Sequence, residues 1–110
     1  MKSMNKVQLI GYLGKDPQIS EFSNGNALAI LRLATDTYYH CKEGSPVKIT
    51  QWHTIKLWGK EQIVKFCEYL IKGSHVLVEG QLLYNTYKDK SGHTRYVTEI
   101  KAKSLIDLDR

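Results

Sequence analysis

Cysteine is scarce, with only Cys41 and Cys67 in the chain. Neither sits in a CxxC pair, so the sequence offers no disulfide framework and no cysteine-based zinc site, and it fits a reducing compartment. Histidine is thinly spread: His40, His53, His75 and His93 fall in four different segments, which argues against a histidine metal cluster. Carboxylates that could gather a catalytic metal are equally dispersed, because Asp16, Glu21, Asp36 and Glu79 stand alone or at turns. These absences exclude the usual hydrolytic and metal-dependent constellations, and the expectation is a protein that is not an enzyme and needs no cofactor. No apolar run is long enough to span a membrane. The best one, Val7 to Leu13, is interrupted by Gln8 and Gly11 and lacks a small-residue cleavage site, so it is a strand candidate rather than a secretion signal. Internal repeats, low-complexity tracts and linkers are missing too.

What is present is the composition of one ordered domain covering residues 1–110, with 42% hydrophobic and 25% charged residues. Sixteen Lys and Arg against eleven Asp and Glu leave a formal charge of +5. A polyanionic partner such as nucleic acid is favoured, although charge of this size does not establish one.

Along the chain, Val7 to Leu13 predicts a first strand ended by the Gly14-Lys15-Asp16-Pro17 break. Ile19 to Phe22 is a short extension, and Ser23-Asn24-Gly25-Asn26 predicts a tight turn because Asn and Gly tolerate positive φ. A second strand follows from Ala27 to about Thr37, then a polar loop from Tyr39 to Val47 and a third strand from Lys48 to Trp58. Between Lys60 and Leu70, the residues Ile63, Phe66, Cys67 and Leu70 recur at helical spacing, and Gly73 stops that helix. Two more strands, Ser74–Tyr87 and Thr94 to about Leu105, flank the turn Asp89-Lys90-Ser91-Gly92, with residues 1–4 and those after Leu105 expected to fray. Three strands, one helix and two strands are the layout of an all-β, five-stranded oligonucleotide-binding (OB) barrel with its helix between strands three and four and with extended hairpins. A mixed α+β sandwich or an SH3-like barrel accommodates that helix less naturally.

The third strand carries most of the chemistry. Alternation puts Lys48, Thr50, Trp52, Thr54, Lys56 and Trp58 on one face and Ile49, Gln51, His53, Ile55 and Leu57 on the other, where Ile49, Ile55 and Leu57 serve the core. Two indoles are thus released from core duty onto a face that also bears ammonium groups. Proteins that hold single strands need this mixture, aromatic planes for unpaired bases and cations for phosphates. A lone strand Trp more often packs under a loop or a subunit contact; two beside Lys48 and Lys56 favour bases. Tyr87, flanked by Lys88 and Lys90 near a hairpin tip, and the pair Tyr38 and Tyr39 are weaker candidates of the same kind, since a tip Tyr also simply stiffens a turn. Gly11-Tyr12-Leu13-Gly14 matches GxxG but lacks the helices of a KH domain.

The segments Asn5-Lys6-Val7, Gly11-Tyr12-Leu13-Gly14-Lys15-Asp16-Pro17, Asn24-Gly25, Leu33-Ala34-Thr35, Trp52-His53, Leu57-Trp58-Gly59-Lys60, Tyr69-Leu70-Ile71-Lys72-Gly73-Ser74 and Val78-Glu79-Gly80-Gln81-Leu82, in this order and spacing, resemble the bacterial single-stranded DNA-binding protein (SSB) family over about residues 5–105. The resemblance implies an OB fold, homotetramers or at least dimers, sequence-independent DNA binding in replication, recombination and repair, and a cytoplasmic, nucleoid-associated protein. Position by position it places base-stacking aromatics at Tyr39, Trp52, Trp58 and Tyr87. It makes Lys60 and Lys72 phosphate contacts, beside the candidates Lys48, Lys56 and Lys88, and puts a subunit contact at His53 and the first strand, with Val7 and Leu9. The family usually continues into a linker and an acidic, Phe-containing tip, whereas this sequence ends Leu105-Ile106-Asp107-Leu108-Asp109-Arg110, where Arg110 offsets one carboxylate. Tail-dependent protein partners are therefore not expected. Two other classes remain open: an OB module of a primosome-like assembly that holds proteins, for which a Lys-flanked Trp pair is a poor face, and a nuclease, which a labelled strand incubated with Mg²⁺ or Ca²⁺ would expose.

Overall fold

A computed structural model describes residues 2–109; Arg110, expected to temper the acidic end, lies outside the described residues. In chain order the elements are β1 (Val7–Leu13), β2 (Gln18–Glu21), β3 (Ala27–His40), β4 (Pro46–Gly59), α1 (Glu61–Cys67), β5 (His75–Lys88) and β6 (Thr94–Asp107). The sheet runs β1-β5-β6-β4-β3-β2, and a pairing of β1 with β3 at Tyr12–Ala34 and Leu13–Leu33 closes it. Five strands make the barrel, as expected, and the four-residue β2 adds a short edge to β3. All pairings are antiparallel except a two-residue parallel junction between β4 and β6 at Ile55–Ile100 and Lys56–Lys101.

The core follows from alternation. Ala29, Leu31 and Leu33 of β3, Ile55 and Leu57 of β4, Val76 and Val78 of β5, and Ile100 and Ala102 of β6 point inward, and Cys67 and Leu70 close one end of the barrel. Burial raises the Cys67 thiol pKa above its ordinary value. Where β1 crosses β3 the backbones nearly touch: a Cβ on Gly11 would fall inside contact distance of the Ala34 carbonyl oxygen, so only glycine fits. Gly25, at φ 86°, supplies the positive dihedral that the β2–β3 turn requires.

Three boundaries differ from the sequence expectation. The helix is shorter than Lys60–Leu70 because Tyr69 and Leu70 leave it through turns, their N–H groups donating to Phe66 and Cys67 carbonyls, and Ser74 Oγ accepts from the Ile71 N–H at 2.9 Å. The polar loop from Tyr39 to Val47 shrinks to five residues, Cys41 to Ser45, since β3 and β4 keep pairing as far as His40–Pro46. The C-terminal end does not fray after Leu105. The Leu108 N–H donates to the His75 carbonyl at 2.8 Å, and Asp109 Oδ2 accepts from the His75 N–H at 3.0 Å. At the other end the Asn5 side chain grips both backbone groups of Leu82, at 2.9 and 3.0 Å.

Two hairpins outrun the barrel. From Tyr84 to Tyr96 every residue except Asp89 is exposed, and the same holds from Asp36 to Ser45 except Cys41.

Candidate nucleic-acid interface

Strand β4 presents its even residues outward while Ile55 and Leu57 fill the core. Ile49, assigned to the core by alternation, is 41% exposed, because by that point the strand has left the barrel. Register with β3 sets Leu28 beside Trp58, Ile30 beside Lys56, Arg32 beside Thr54, Ala34 beside Trp52, Asp36 beside Thr50 and Tyr38 beside Lys48. Cross-strand partners share a side, so one outer face carries both indoles, Arg32 and Lys48. Trp52 and Trp58 are each about half exposed, at 51% and 50%.

Each indole is held in place. Trp52 lies against Gly14, where a Cβ would come within 2.7 Å of its Cη2, and the Arg32 guanidinium carbon sits 5.6 Å from the ring centroid, in cation–π range. Arg32 is itself anchored by an Nη1–H donating to Thr54 Oγ1 at 3.0 Å, and Lys15 completes a shallow depression with Gly14, Arg32 and Trp52. Trp58 stacks with Phe22 of the β2–β3 turn, centroids 6.2 Å apart and planes 22° apart. Beyond Trp52, toward the tip of the β3–β4 hairpin, Asp36 accepts from the Thr50 hydroxyl at 2.6 Å.

Lys56 shares the indole face, but its Nζ is 3.0 Å from Glu99 Oε2, and Asn85 Nδ2 donates to Glu99 Oε1 at 2.6 Å. Glu99 is 8% exposed, so the ammonium chiefly neutralises a buried carboxylate. Through Glu99 and Asn85 the same outer side continues along β5 to Tyr87, 56% exposed and opposite Arg95. Arg95 Nε donates to Asp89 Oδ2 at 2.9 Å; that bond, with those from the His93 and Ser91 N–H groups, holds the Asp89 carboxyl below the usual carboxylate range. Lys88 ends β5 opposite Thr94.

Other assigned residues fall elsewhere. Tyr39 pairs with Val47 and so faces away from the indoles, whereas its neighbour Tyr38, opposite Lys48, shares their side. Lys60 precedes α1 and Lys72 lies in the turn before β5; both are exposed, and the Lys72 N–H donates to Asp16 Oδ1 at 2.8 Å, tying that turn to the one beside Trp52. His53 is half-buried on the inner side of β4, its Nε2 2.8 Å from Thr35 Oγ1, with a pKa lowered by burial and by the Arg32 charge. Val7 and Leu9, assigned to a contact between copies, are partly buried against the core; the outward residues of β1 are Gln8, Ile10 and Tyr12, and Tyr12 stacks on His75 at 4.5 Å.

Sequence reasoning passed over Arg32, Phe22 and Lys15 as site residues. The first could have been found, since an Arg two residues before Ala34 must share the side that β3 turns away from Leu31 and Leu33. Phe22 could not, because its stack with Trp58 depends on the path of the turn. Among the described residues no three His, Cys, Asp or Glu gather as a metal site, and no helix is long and apolar enough to cross a membrane.

The model of the single-strand binding protein family matches residues 4–108. A structure of the Plasmodium falciparum SSB complex with ssDNA superposes with a TM-score of 0.84 at 32% identity, covering 99% of this chain and 98% of that one. A deletion mutant of the single-stranded DNA-binding protein from Thermus aquaticus superposes with a TM-score of 0.79 at 26% identity, covering 96% of this chain and 50% of that one. With the barrel, the outward indoles and a family match over almost the whole length in agreement, this chain belongs to the single-strand binding protein family.

Proposed function

We propose that this protein binds single-stranded DNA independently of its overall sequence, by stacking bases on outward aromatics and neutralising phosphates, and that it coats and protects strands during replication, recombination and repair. The observation that carries the proposal is the outer face of β3 and β4, where Trp52 and Trp58 stand half exposed on a basic domain with Arg32 and Lys48 on the same side. Family membership and the DNA-bound Plasmodium falciparum neighbour support it. Trp52, Trp58 and Tyr87 supply the rings, with Tyr39 engaged only if the strand crosses to the other side of the β3–β4 hairpin. Lys48, Lys60, Lys72 and Lys88 supply charge to the backbone, and Lys56 contributes less because Glu99 holds it. The role is binding rather than catalysis, exercised wherever single-stranded DNA is exposed in the cell interior.

Self-association, as a homotetramer or at least a dimer, completes the proposal. The outer side of β1, β5 and β6 supports it, with Ile10, Tyr12 and Ile106 46–57% exposed and Leu77 between Ile10 and Ile106 in the sheet. Several barrels on one strand would multiply weak contacts by effective concentration. Light scattering at micromolar protein should show the assembly, and a monomer would overturn it. For the DNA reading, oligonucleotide titration should quench tryptophan fluorescence, and Trp52→Ala and Trp58→Ala should each lose about 1–3 kcal/mol of binding while melting like the parent. Parent-like binding by both variants would place the interface elsewhere.

A further inference from the structure

At the end of β4, Trp58 and Phe22 form a paired surface rather than two separate rings. Their centroids are 6.2 Å apart and their planes nearly parallel, which is too close for a base to enter between them, since carbon planes need about 3.5 Å on each side. Both remain about half exposed, 50% and 45%, so the pair offers a broad platform on its open side. Asn24, Asn26 and Gly59 line the rest of the depression beside it. Asn24 Oδ1 accepts from the Asn26 N–H at 3.0 Å and shapes the turn. Among the described residues the Asn24 side-chain NH₂ and the whole Asn26 carboxamide have no partner.

A platform for a base face, rimmed by a carboxamide with a free donor and a free acceptor, has the parts needed to read a base edge. We infer that Phe22, Trp58, Asn24 and Asn26 form a nucleobase subsite that prefers adenine, a local preference within binding that is otherwise blind to sequence. The Asn26 carboxamide can donate Nδ2–H to adenine N7 and accept N6–H at Oδ1, the bidentate pairing of Asn with adenine. A purine also covers more of a two-ring platform than a pyrimidine does. Neither an isolated Trp nor a lysine could discriminate in this way, because every base has a π-face and every nucleotide a phosphate.

The inference rests on the single-stranded DNA reading, and the test separates the two. Fluorescence titrations of the parent with oligo-dA, oligo-dT and oligo-dA carrying 7-deazaadenine, all of one length, give three affinities. The 7-deaza strand keeps the stacking surface and the 6-amino group but loses the N7 acceptor. It should bind roughly fivefold or more weakly than oligo-dA. Asn26→Ala should lower the dA-to-dT affinity ratio by a similar factor, and comparing ratios between proteins cancels the stacking of oligo-dA on itself. Phe22→Leu should weaken both strands, dA more than dT. Equal affinity for the dA and 7-deaza strands, or a ratio unchanged in Asn26→Ala, overturns the subsite while leaving DNA binding intact. A parent that binds none of the strands overturns both readings.

Discussion

Replacing Gly14 with alanine adds one methyl group, and it should damage binding without damaging the fold. The new Cβ would press hardest on Trp52 Cζ3 and lie 2.7 Å from Cη2. Carbon atoms settle at about 3.5–4.0 Å, so the indole must retreat by on the order of 1 Å. It has room to do so, being a half-exposed side chain on the outer face, so stability should change little. The retreat alters the ring's contact with Arg32, now 5.6 Å from the centroid, and its presentation to a base. The upper limit of the loss is one stacked base, about 1–3 kcal/mol, or roughly 5- to 150-fold in Kd. Gly11→Ala is the contrast: its Cβ meets the Ala34 backbone at the closure of the barrel, where nothing can swing aside, so the melting temperature should fall sharply. Thermal melts and fluorescence titrations of both variants decide the matter. If Gly14→Ala binds like the parent with unchanged tryptophan emission, Trp52 is not held where it matters, and the stacking argument for that ring fails.

Lys56→Gln should cost about 1–3 kcal/mol of stability in a denaturant titration, because it strands the buried Glu99 carboxylate, whereas Lys48→Gln should be nearly neutral for folding. The binding assay should reverse that order: neutralising one phosphate fewer lowers the slope of log K against log salt by about 0.7, so Lys48→Gln should flatten the slope and Lys56→Gln should change it little. Burial and the Arg32 charge depress the His53 pKa below 6.5, so the unfolded chain takes up the proton first. Stability is then fully present above 6.5 and falls as pH drops from there toward the folded value; His53→Gln should show a shallower decline between pH 7 and pH 5, and an identical profile would remove His53 as the cause.

Local signals were legible where a residue's own chemistry decides its conformation. The Asn24-Gly25 turn, the Asp89 to Gly92 turn and the outward placement of Trp52 and Trp58 all follow from positive φ tolerance or strand alternation, and all hold. Alternation failed where its premise lapsed. Ile49 has core parity but lies past the end of the core, whereas Tyr39, placed by the resemblance and not by alternation, is odd on β3 while the outward side is even. The pairing of Lys56 with Glu99 stayed hidden because it spans the parallel β4–β6 junction between segments distant in sequence. The paired C-terminal end was hidden for a related reason: its partners are backbone groups of His75, which any sequence possesses.

The two hairpins that outrun the barrel make reach a property that can vary independently of stability. Residues Tyr84 to Tyr96 contribute almost nothing to the interior, so the arm can be lengthened or shortened without rebuilding the core. Such changes come in steps. Adding two residues to each strand advances Tyr87 by about 6.8 Å and leaves it on the side of the indoles, while adding one to each turns it to the opposite side. Natural variation in arm length should therefore favour even increments, and a designer extending the grip of this protein would be bound by the same arithmetic.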